Sequence, residues 1–327
     1  MSNININTNE AVVLLNMGGP NNLFEVETFL KNMFNDPLIL TIKNSFIRKF
    51  TANMIVNSRL EKAKSNYKQI GSKSPLVEIT FNLTKVLQEL DNTRFYTYAM
   101  RYTPPYNDLV IKDLMDRNIT KVTLFSMYPQ YSNTTTLSSV REFMRCAREL
   151  DFKAKINVVE SYPTYIGFIE SCIEKIKECE VDYSDYVLLL SAHSIPKQMV
   201  HNGDPYKNEI EKSAAALEER LIKEGINFKD IAVCYQSKIG PVKWLEPTTI
   251  DTIKEYKDYN IMIYPLAFSI DNSETIYELE IENRELANKL GIKNYIVCKC
   301  PNDSLTFAKS IIDLINLKGK SIDEAKI

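Results

Sequence analysis

A histidine at a predicted strand end is the first residue suited to proton or metal chemistry. His193 follows the apolar run 187–190, which is typical of a strand buried on both faces of a parallel sheet. The chain contains only two histidines, and His201 lies in the same predicted loop. Ligands of open α/β sheets bind at the carboxyl ends of the strands. His193 is therefore a candidate functional residue, the alternative being a core histidine hydrogen-bonded to the backbone.

A row of three glutamates begins a predicted helix after another strand. The strand is predicted at 260–266, and a polar cap at 271–273 precedes the helix. Glu274, Glu278 and Glu282 recur at steps of four, which places them on one helical face. Apolar residues border this face on both sides. Carboxylates with an imidazole suit a divalent metal in transit or proton abstraction, and the alternative is a solvated helix face.

Strands and helices alternate along the chain in the manner of βαβ units, which predicts an α/β protein with parallel sheets. The predicted strands are residues 11–16, 95–100, 121–127, 154–159, 186–190, 230–235, 260–266 and 295–298. Two sheets of four strands, split near residue 160, predict domains 1–160 and 161–327 with a cleft between them. His193 and Glu274 both fall in the second predicted domain.

Residues 38–56 form an apolar series interrupted by basic side chains, which are Lys43, Arg48 and Lys49. A core helix is the default interpretation of such a segment. The alternative is an apolar lip that holds a hydrophobic ligand or rests on a membrane surface. Met17-Gly18-Gly19-Pro20 closes the first strand, but its glycine spacing fits neither a Walker loop nor a dinucleotide fingerprint.

Composition and charge narrow the class of protein. The 327 residues are 44% hydrophobic, enough for two globular domains, and a net charge of −2 does not favour nucleic acid binding. The N-terminal residues lack the basic and apolar regions of a signal peptide, and no apolar run is long enough to span a membrane. A cytoplasmic protein is expected. The six cysteines form no Cys-x-x-Cys pair, so buried thiols are expected instead of disulfides.

Ordered motifs over residues 11–315 resemble the ferrochelatases, which insert ferrous iron into a porphyrin in the last step of haem synthesis. These motifs are Leu14-Leu15-Asn16-Met17-Gly18-Gly19-Pro20, Ser74-Pro75-Leu76, Ala99-Met100-Arg101-Tyr102, Tyr128-Pro129-Gln130-Tyr131-Ser132, Ser191-Ala192-His193-Ser194-Ile195-Pro196, Tyr235-Gln236-Ser237-Lys238 with Trp244, and Glu274-Thr275 with Tyr277-Glu278. The resemblance implies two Rossmann-like domains, each a parallel four-stranded sheet flanked by helices, with a porphyrin cleft between them. It also implies Fe²⁺ and protoporphyrin IX as substrates, protohaem and two protons being the products.

The resemblance further implies roles for individual residues. His193 and Glu274 would face each other across the porphyrin pocket as catalytic residues and metal ligands, and Glu278 and Glu282 would continue as an acidic path. A pocket lip is implied at about 37–75. The residues implied to contact the porphyrin or line its pocket are Met17, Arg59, Tyr67, Ser74, Arg101, Tyr102, Tyr131 and Trp244.

Several positions depart from patterns known in that family. Asn272 stands where many relatives carry histidine, which puts a proton relay at this position in doubt. The cysteines that hold an iron–sulfur cluster in some relatives are missing and Asn133 stands at one such position, so neither a cluster nor a permanently bound cofactor is expected. Met17 favours protoporphyrin, and the apolar lip favours peripheral contact with the inner face of a membrane. The alternatives are a coproporphyrin III ferrochelatase and a non-catalytic tetrapyrrole or haem carrier of the same fold.

Overall fold

Two parallel β-sheets form the framework of the chain in a computed structural model that describes residues 8–238, 240 and 242–318. The first sheet has the strand order β2-β1-β3-β4, and the second has the order β6-β5-β7-β8. The strands are β1 (Glu10–Asn16), β2 (Phe95–Met100), β3 (Lys121–Ser126), β4 (Lys155–Val159), β5 (Tyr186–His193), β6 (Asp230–Gln236), β7 (Asn260–Pro265) and β8 (Tyr295–Val297). Each neighbouring pair is parallel. The predicted α/β class with two four-stranded parallel sheets is confirmed.

Helices connect successive strands, as the alternating pattern predicts. The α-helices are α1 (Glu25–Phe34), α2 (Ser45–Gln69), α3 (Leu76–Leu90), α4 (Asn107–Asp116), α5 (Ser138–Glu149), α6 (Ile166–Lys177), α7 (Lys197–His201), α8 (Tyr206–Lys223), α9 (Thr249–Glu255), α10 (Asn283–Lys289) and α11 (Leu305–Lys318). Two segments are π-helices instead, Asn133–Leu137 before α5 and Glu274–Glu282 before α10.

The chain divides into two compact units, each containing one sheet. Within the described residues, the first unit comprises 8–127, 133–161 and 308–318, and the second comprises 128–132 and 162–307. The division near residue 161 lies close to the predicted one, but most of α11 groups with the first unit. One contact there is the 2.7 Å hydrogen bond that the Arg94 guanidinium donates to Asn316 Oδ1. Residues 1–7 and 319–327 of the predicted domains lie outside the described part.

Each sheet packs against helices through alternate apolar side chains of its strands. In the first unit, Ala11, Val13 and Leu15 of β1 share a buried cluster with residues of α4 and α5. In the second unit, Val187 and Leu189 of β5 share a cluster with Leu279, whose side chain is fully buried. Burial of such a leucine stabilises the fold by about 1.5–3 kcal/mol. Leu279 therefore anchors the π-helix Glu274–Glu282 on the second sheet.

The segment after α1 is only partly the core helix that its apolar series suggested. Helix α2 begins at Ser45, where the Asn44 side chain accepts hydrogen bonds from the two amides of Phe46 and Ile47. Its inward face buries Ala52 and Val56. The opposite face exposes Phe46 by 80%, Phe50 by 62% and Met54 by 59%. Because these three residues recur at steps of four, they form one apolar stripe on the helix surface.

Candidate active site

His193 and Glu274 are in direct contact at the carboxyl edge of the second sheet, so they do not face each other across a pocket as the resemblance implied. His193 is the last residue of β5, and Glu274 begins the π-helix that follows β7. His193 Nδ1 lies 3.0 Å from Glu274 Oε2, and about a third of each side chain is exposed, 34% and 29%. Strands β5 and β7 are neighbours at the point where the strand order reverses, which is where open α/β sheets bind ligands.

The charge state of His193 is set by two opposing effects. Burial acts to lower its pKa, but the Glu274 carboxylate and its hydrogen bond, with a smaller contribution from Glu278, raise the pKa on balance above the ordinary value. The imidazolium form is thus favoured up to a higher pH than in a free histidine. A proton taken up by His193 is immediately shared with a carboxylate, as a proton-accepting site requires.

Removing the Glu274 charge is expected to lower the pKa of His193, because burial would then be opposed only by the smaller contribution of Glu278. In Glu274→Gln the side chain keeps its shape but no longer stabilises the imidazolium. The measurement is a pH titration of the two histidine ring signals by NMR, with His201→Asn to assign them, since the chain has only two histidines. An unchanged or raised His193 pKa would contradict the assignment.

Glu278 is held by a single residue on the neighbouring strand end. The amide of Ser237 donates to Glu278 Oε1 at 2.8 Å, and the Ser237 hydroxyl donates to Oε2. Ser237 directly follows β6 and has a φ of +67°, a left-handed conformation unusual for serine. Burial and the nearby Glu274 charge raise the pKa of Glu278, and the two Ser237 hydrogen bonds partly oppose this. Glu278 therefore retains a proton to higher pH than a free glutamate.

The row of glutamates runs along a π-helix and not along the α-helix that the spacing suggested. A π-helix has about 4.4 residues per turn, so a step of four falls short of one full turn by a small angle. Glu274, Glu278 and Glu282 therefore stay on one side of the element. Glu274 and Glu278 are partly buried, whereas Glu282 is exposed. The row leads from the His193 contact to solvent.

Asn272 positions the start of this π-helix. Its Oδ1 accepts a 2.8 Å hydrogen bond from the amide of Glu274, and its Nδ2 donates to the carbonyl of Ile270. Asn272 is 6% exposed. The side chain thus acts as a backbone cap, a role that the polar composition of 271–273 indicates. The neighbouring Asp271 carboxylate accepts from Thr275 Oγ1 and from Asn302 Nδ2.

Two further residues implied by the resemblance lie in the second unit. Trp244 forms an isolated antiparallel bridge with Pro196, and the amide of Leu245 donates to the carbonyl of Ile195. Trp244 is therefore held against the loop that follows His193. The amide of Tyr131 donates to a carboxylate oxygen of Glu209 at 2.7 Å, which fixes its backbone on α8.

In the first unit, Met17, Tyr67 and Tyr102 pack in one apolar cluster with residues of α1 and α2. Arg59 projects from α2 and is partly buried. Burial lowers the pKa of Arg59, and its guanidinium forms no hydrogen bond or ion pair within the described part of the chain. A partly desolvated guanidinium without an anion can donate charge-assisted hydrogen bonds to a carboxylate ligand.

Arg101, Tyr102 and Ser74 are engaged inside the first unit. The Arg101 guanidinium and the Tyr102 hydroxyl each donate to Asp36 Oδ2 at 2.9 Å. Ser74 is buried, and its hydroxyl accepts from the amide of Leu76 at 3.4 Å. A Cβ on Gly19 would lie 2.5 Å from Ser74 Cβ, so the glycine pair after β1 allows close packing. These contacts account for the three residues within the fold, and their porphyrin contacts remain predictions.

The described residues contain no group of three or more histidine, cysteine and acidic side chains arranged to hold a metal ion. His193 and Glu274 supply two ligand atoms that are hydrogen-bonded to each other. Two ligands hold a divalent ion less firmly than the three or four of a resident site. The metal-ligand role of this pair remains a prediction. The predicted lack of an iron–sulfur cluster remains a prediction.

Comparison with known proteins adds an independent finding. A family model described as "Ferrochelatase" matches residues 9–318. A ferrochelatase of Helicobacter pylori strain J99 is 51% identical over 319 residues, covering 95% of this chain and 94% of that protein. A ferrochelatase of Wolinella succinogenes is 49% identical over 309 residues, covering 94% and 98%. The solved structure of SirB from Bacillus subtilis with Fe³⁺ matches with a TM-score of 0.57 at 10% identity, covers 95% of each chain, and supports the fold alone.

Proposed function

We propose a function from one established premise, which is that the chain belongs to the ferrochelatase family. The protein inserts Fe²⁺ into protoporphyrin IX and releases protohaem and two protons. It is an enzyme of the lyase class, a porphyrin metal chelatase. The observation that carries the mechanism is the 3.0 Å contact between His193 and Glu274 at the carboxyl edge of the second sheet.

The reaction requires a base because the two inner pyrrole N–H groups must lose their protons as iron binds. Both histidines lie in the described part of the chain, and of these two His193 is the one at a strand end. Its neutral imidazole accepts the first proton. Glu274 stabilises the resulting imidazolium through the Nδ1 contact. Because His193 and Glu274 together hold one proton, the first pyrrole proton must leave the pair before the second can be accepted.

The glutamate row provides a route between this pair and solvent. Glu278 is the next carboxylate after Glu274, and its raised pKa lets it keep a proton to higher pH than a free glutamate. Glu282 is exposed at the far end of the π-helix. The same carboxylate oxygens can ligate Fe²⁺ on its way in and accept protons on their way out. We assign both movements to this row.

The porphyrin carboxylates need a cation, and Arg59 supplies one. Its guanidinium has no partner in the described residues and is partly buried, so a propionate gains a charge-assisted hydrogen bond there. Met17 is partly exposed and packs in the same apolar cluster as the buried Tyr67, so it offers an apolar surface to a flat macrocycle. We propose these three residues as porphyrin contacts of the first unit, and the porphyrin contacts of Tyr131 and Trp244 stay predictions.

Metal insertion is tested by anaerobic incubation of the protein with Fe²⁺ and a porphyrin. The absorbance change of metallation is followed at equal concentrations of protoporphyrin IX and coproporphyrin III. We expect turnover with protoporphyrin IX to be the faster. Faster turnover of coproporphyrin III would show that this porphyrin is the preferred substrate. Porphyrin binding without metallation would show that the protein is a carrier and not an enzyme.

We also propose that the apolar stripe of α2 rests on a membrane surface. No helix in the described residues is long and apolar enough to span a bilayer. Phe46, Phe50 and Met54 instead project outward, and Lys43 and Lys49 lie beside them in the sequence. Apolar side chains next to lysines suit an interface rich in anionic lipid, as on the cytoplasmic leaflet. This proposal places the protein in the cytoplasm, at the inner face of the membrane.

Polar substitutions in the stripe are expected to weaken binding to lipid vesicles. The double variant Phe46→Ser with Phe50→Ser should partition into sedimented anionic vesicles at least about tenfold less than the unchanged protein, because two phenylalanines no longer enter the interface. Ile222→Ser is the matched control, since Ile222 is 59% exposed but lies on α8. Equal partitioning of the double variant and the control would contradict the proposal.

A further inference from the structure

Two thiols of the second unit lie in contact, although 119 positions separate them in the chain. Cys179 follows α6, and Cys298 directly follows β8. Their sulfur atoms are 3.6 Å apart. All six cysteines are free thiols in the structure. Two sulfurs at contact distance need only small side-chain rotations to reach the bond length of a disulfide, about 2.05 Å.

The two thiols have different environments. Cys179 is partly exposed, whereas Cys298 is 3% exposed. The hydrogen bond from Cys298 lowers the pKa of Cys179, and contact with Cys179 together with burial raises the pKa of Cys298. The charged side chains nearby are Glu178 and Lys175, and these two form an ion pair at 2.6 Å. Cys179 is therefore the accessible thiol that forms a thiolate first, and Cys298 is its buried neighbour.

Cys298 begins a segment that holds the start of the π-helix Glu274–Glu282. Its own amide donates to the carbonyl of Ile263 in β7 at 2.8 Å. Further along, Asn302 Oδ1 accepts from the amide of Asp271, and Asn302 Nδ2 donates to the Asp271 carboxylate at 2.7 Å. Residues 298–302 are thus the support on which the loop before Glu274 rests.

We propose that Cys179 and Cys298 form a redox-modification site, at which a hydroperoxide converts the two thiols into one disulfide. The Cys179 thiolate attacks one oxygen of the hydroperoxide, the O–O bond breaks, and a sulfenic acid forms with release of hydroxide. Cys298 then attacks the Cys179 sulfur, the S–O bond breaks, and a second hydroxide leaves. With hydrogen peroxide, two thiols give one disulfide and two waters, the sulfurs losing the two electrons that the peroxide gains.

The disulfide would tie the end of α6 to the segment 298–302. This segment otherwise depends on hydrogen bonds such as those between Asn302 and Asp271. A disulfide between residues 119 positions apart closes a long loop. It restricts local opening, because the segment 298–302 can no longer separate from α6. The inference is independent of the proposed metal insertion, since it concerns the thiols alone.

The test is peptide mapping of the full chain after exposure to a few equivalents of hydrogen peroxide. Free thiols are alkylated, and the protein is digested without reductant. We expect a linked peptide pair containing Cys179 and Cys298, lighter by two hydrogen atoms than the separate peptides and lost after dithiothreitol. Hydrogen–deuterium exchange in the peptide containing 298–302 should slow by about fivefold or more on oxidation.

Two single variants separate this pair from general thiol oxidation. Cys179→Ser should abolish the linked peptides and leave Cys298 alkylated, and it places a small polar group at a partly exposed position. Cys146→Ser removes a buried thiol of the first unit and should leave the linked peptides unchanged. A peroxide-treated protein with Cys179 over-oxidised and unlinked, or with a disulfide that excludes Cys179, would overturn the proposal. Unaltered exchange after linkage would overturn its effect on 298–302.

Discussion

Replacement of His193 by alanine is expected to lower kcat for Fe²⁺ insertion by about 10²–10⁴-fold, the range contributed by a positioned general base. The reason is that His193 is the imidazole in contact with Glu274, and no other histidine stands at a strand end. Porphyrin binding should change less than the rate, because the proposed contacts of Arg59 and Met17 with the macrocycle are kept. The measurement is the anaerobic metallation rate at saturating porphyrin, with binding followed separately by fluorescence.

His201→Ala is the matched control for this prediction, because His201 is exposed and lies only eight positions away in α7. It should retain the full rate. The pH profile adds a second criterion, since the neutral imidazole is the active base and the rate should rise with pH through the raised His193 pKa. In Glu274→Gln this rise should move to lower pH. Full activity of His193→Ala would refute the assignment of the base.

Asp36→Ala is expected to lower the free energy of unfolding by about 3–5 kcal/mol, the usual effect of breaking a buried ion pair. The Asp36 carboxylate is 1% exposed and accepts hydrogen bonds from Arg101, Tyr102 and Ser138. It also accepts from the amide of Leu38 at 2.8 Å. Without it, a partly buried guanidinium and a buried phenol lose their acceptor. Urea unfolding followed by circular dichroism measures the loss.

Asp113→Ala is the control for this substitution. Its carboxylate pairs with Arg117 at 3.1 Å across one turn of α4, and both side chains are exposed. Such a pair contributes about 0.3–0.5 kcal/mol. A similar, small effect of both variants would show that Asp36 is dispensable to the fold. Asp36→Asn distinguishes charge from shape, because the amide keeps the size of the side chain but pairs less strongly with Arg101.

The strands and most helices were predictable from the sequence, because buried strands and buried helix faces each leave a recognisable apolar pattern. β2 begins and ends as predicted, and β5 extends three residues further than its predicted end, to His193 itself. The π-helix was not predictable from the glutamate spacing, since steps of four fit both helix types over nine residues. The exposure of Phe46 was also hidden, because an apolar series does not reveal which face of a helix is covered.

The contacts missed in the sequence are those between distant residues. Asp36 meets Arg101 and Ser138 across 65 and 102 positions, and Ser237 meets Glu278 across 41. The Cys179 and Cys298 sulfurs likewise meet across 119 positions. Serine in a left-handed conformation gives no pattern of its own. A polar residue directly after a strand was the available signal for Ser237, since the site collects such residues at one edge.

The pairing of β5 with β7 has a consequence for how the protein matures. His193 and Glu274 are 81 positions apart in the chain and meet only when these two strands are neighbours in the sheet. Contacts of such sequence separation form late, because a long loop must close first. A nascent or misfolded chain therefore holds the two residues apart and has no reactive centre. Catalytic competence appears together with the completed sheet, so activity itself reports correct folding of the second unit.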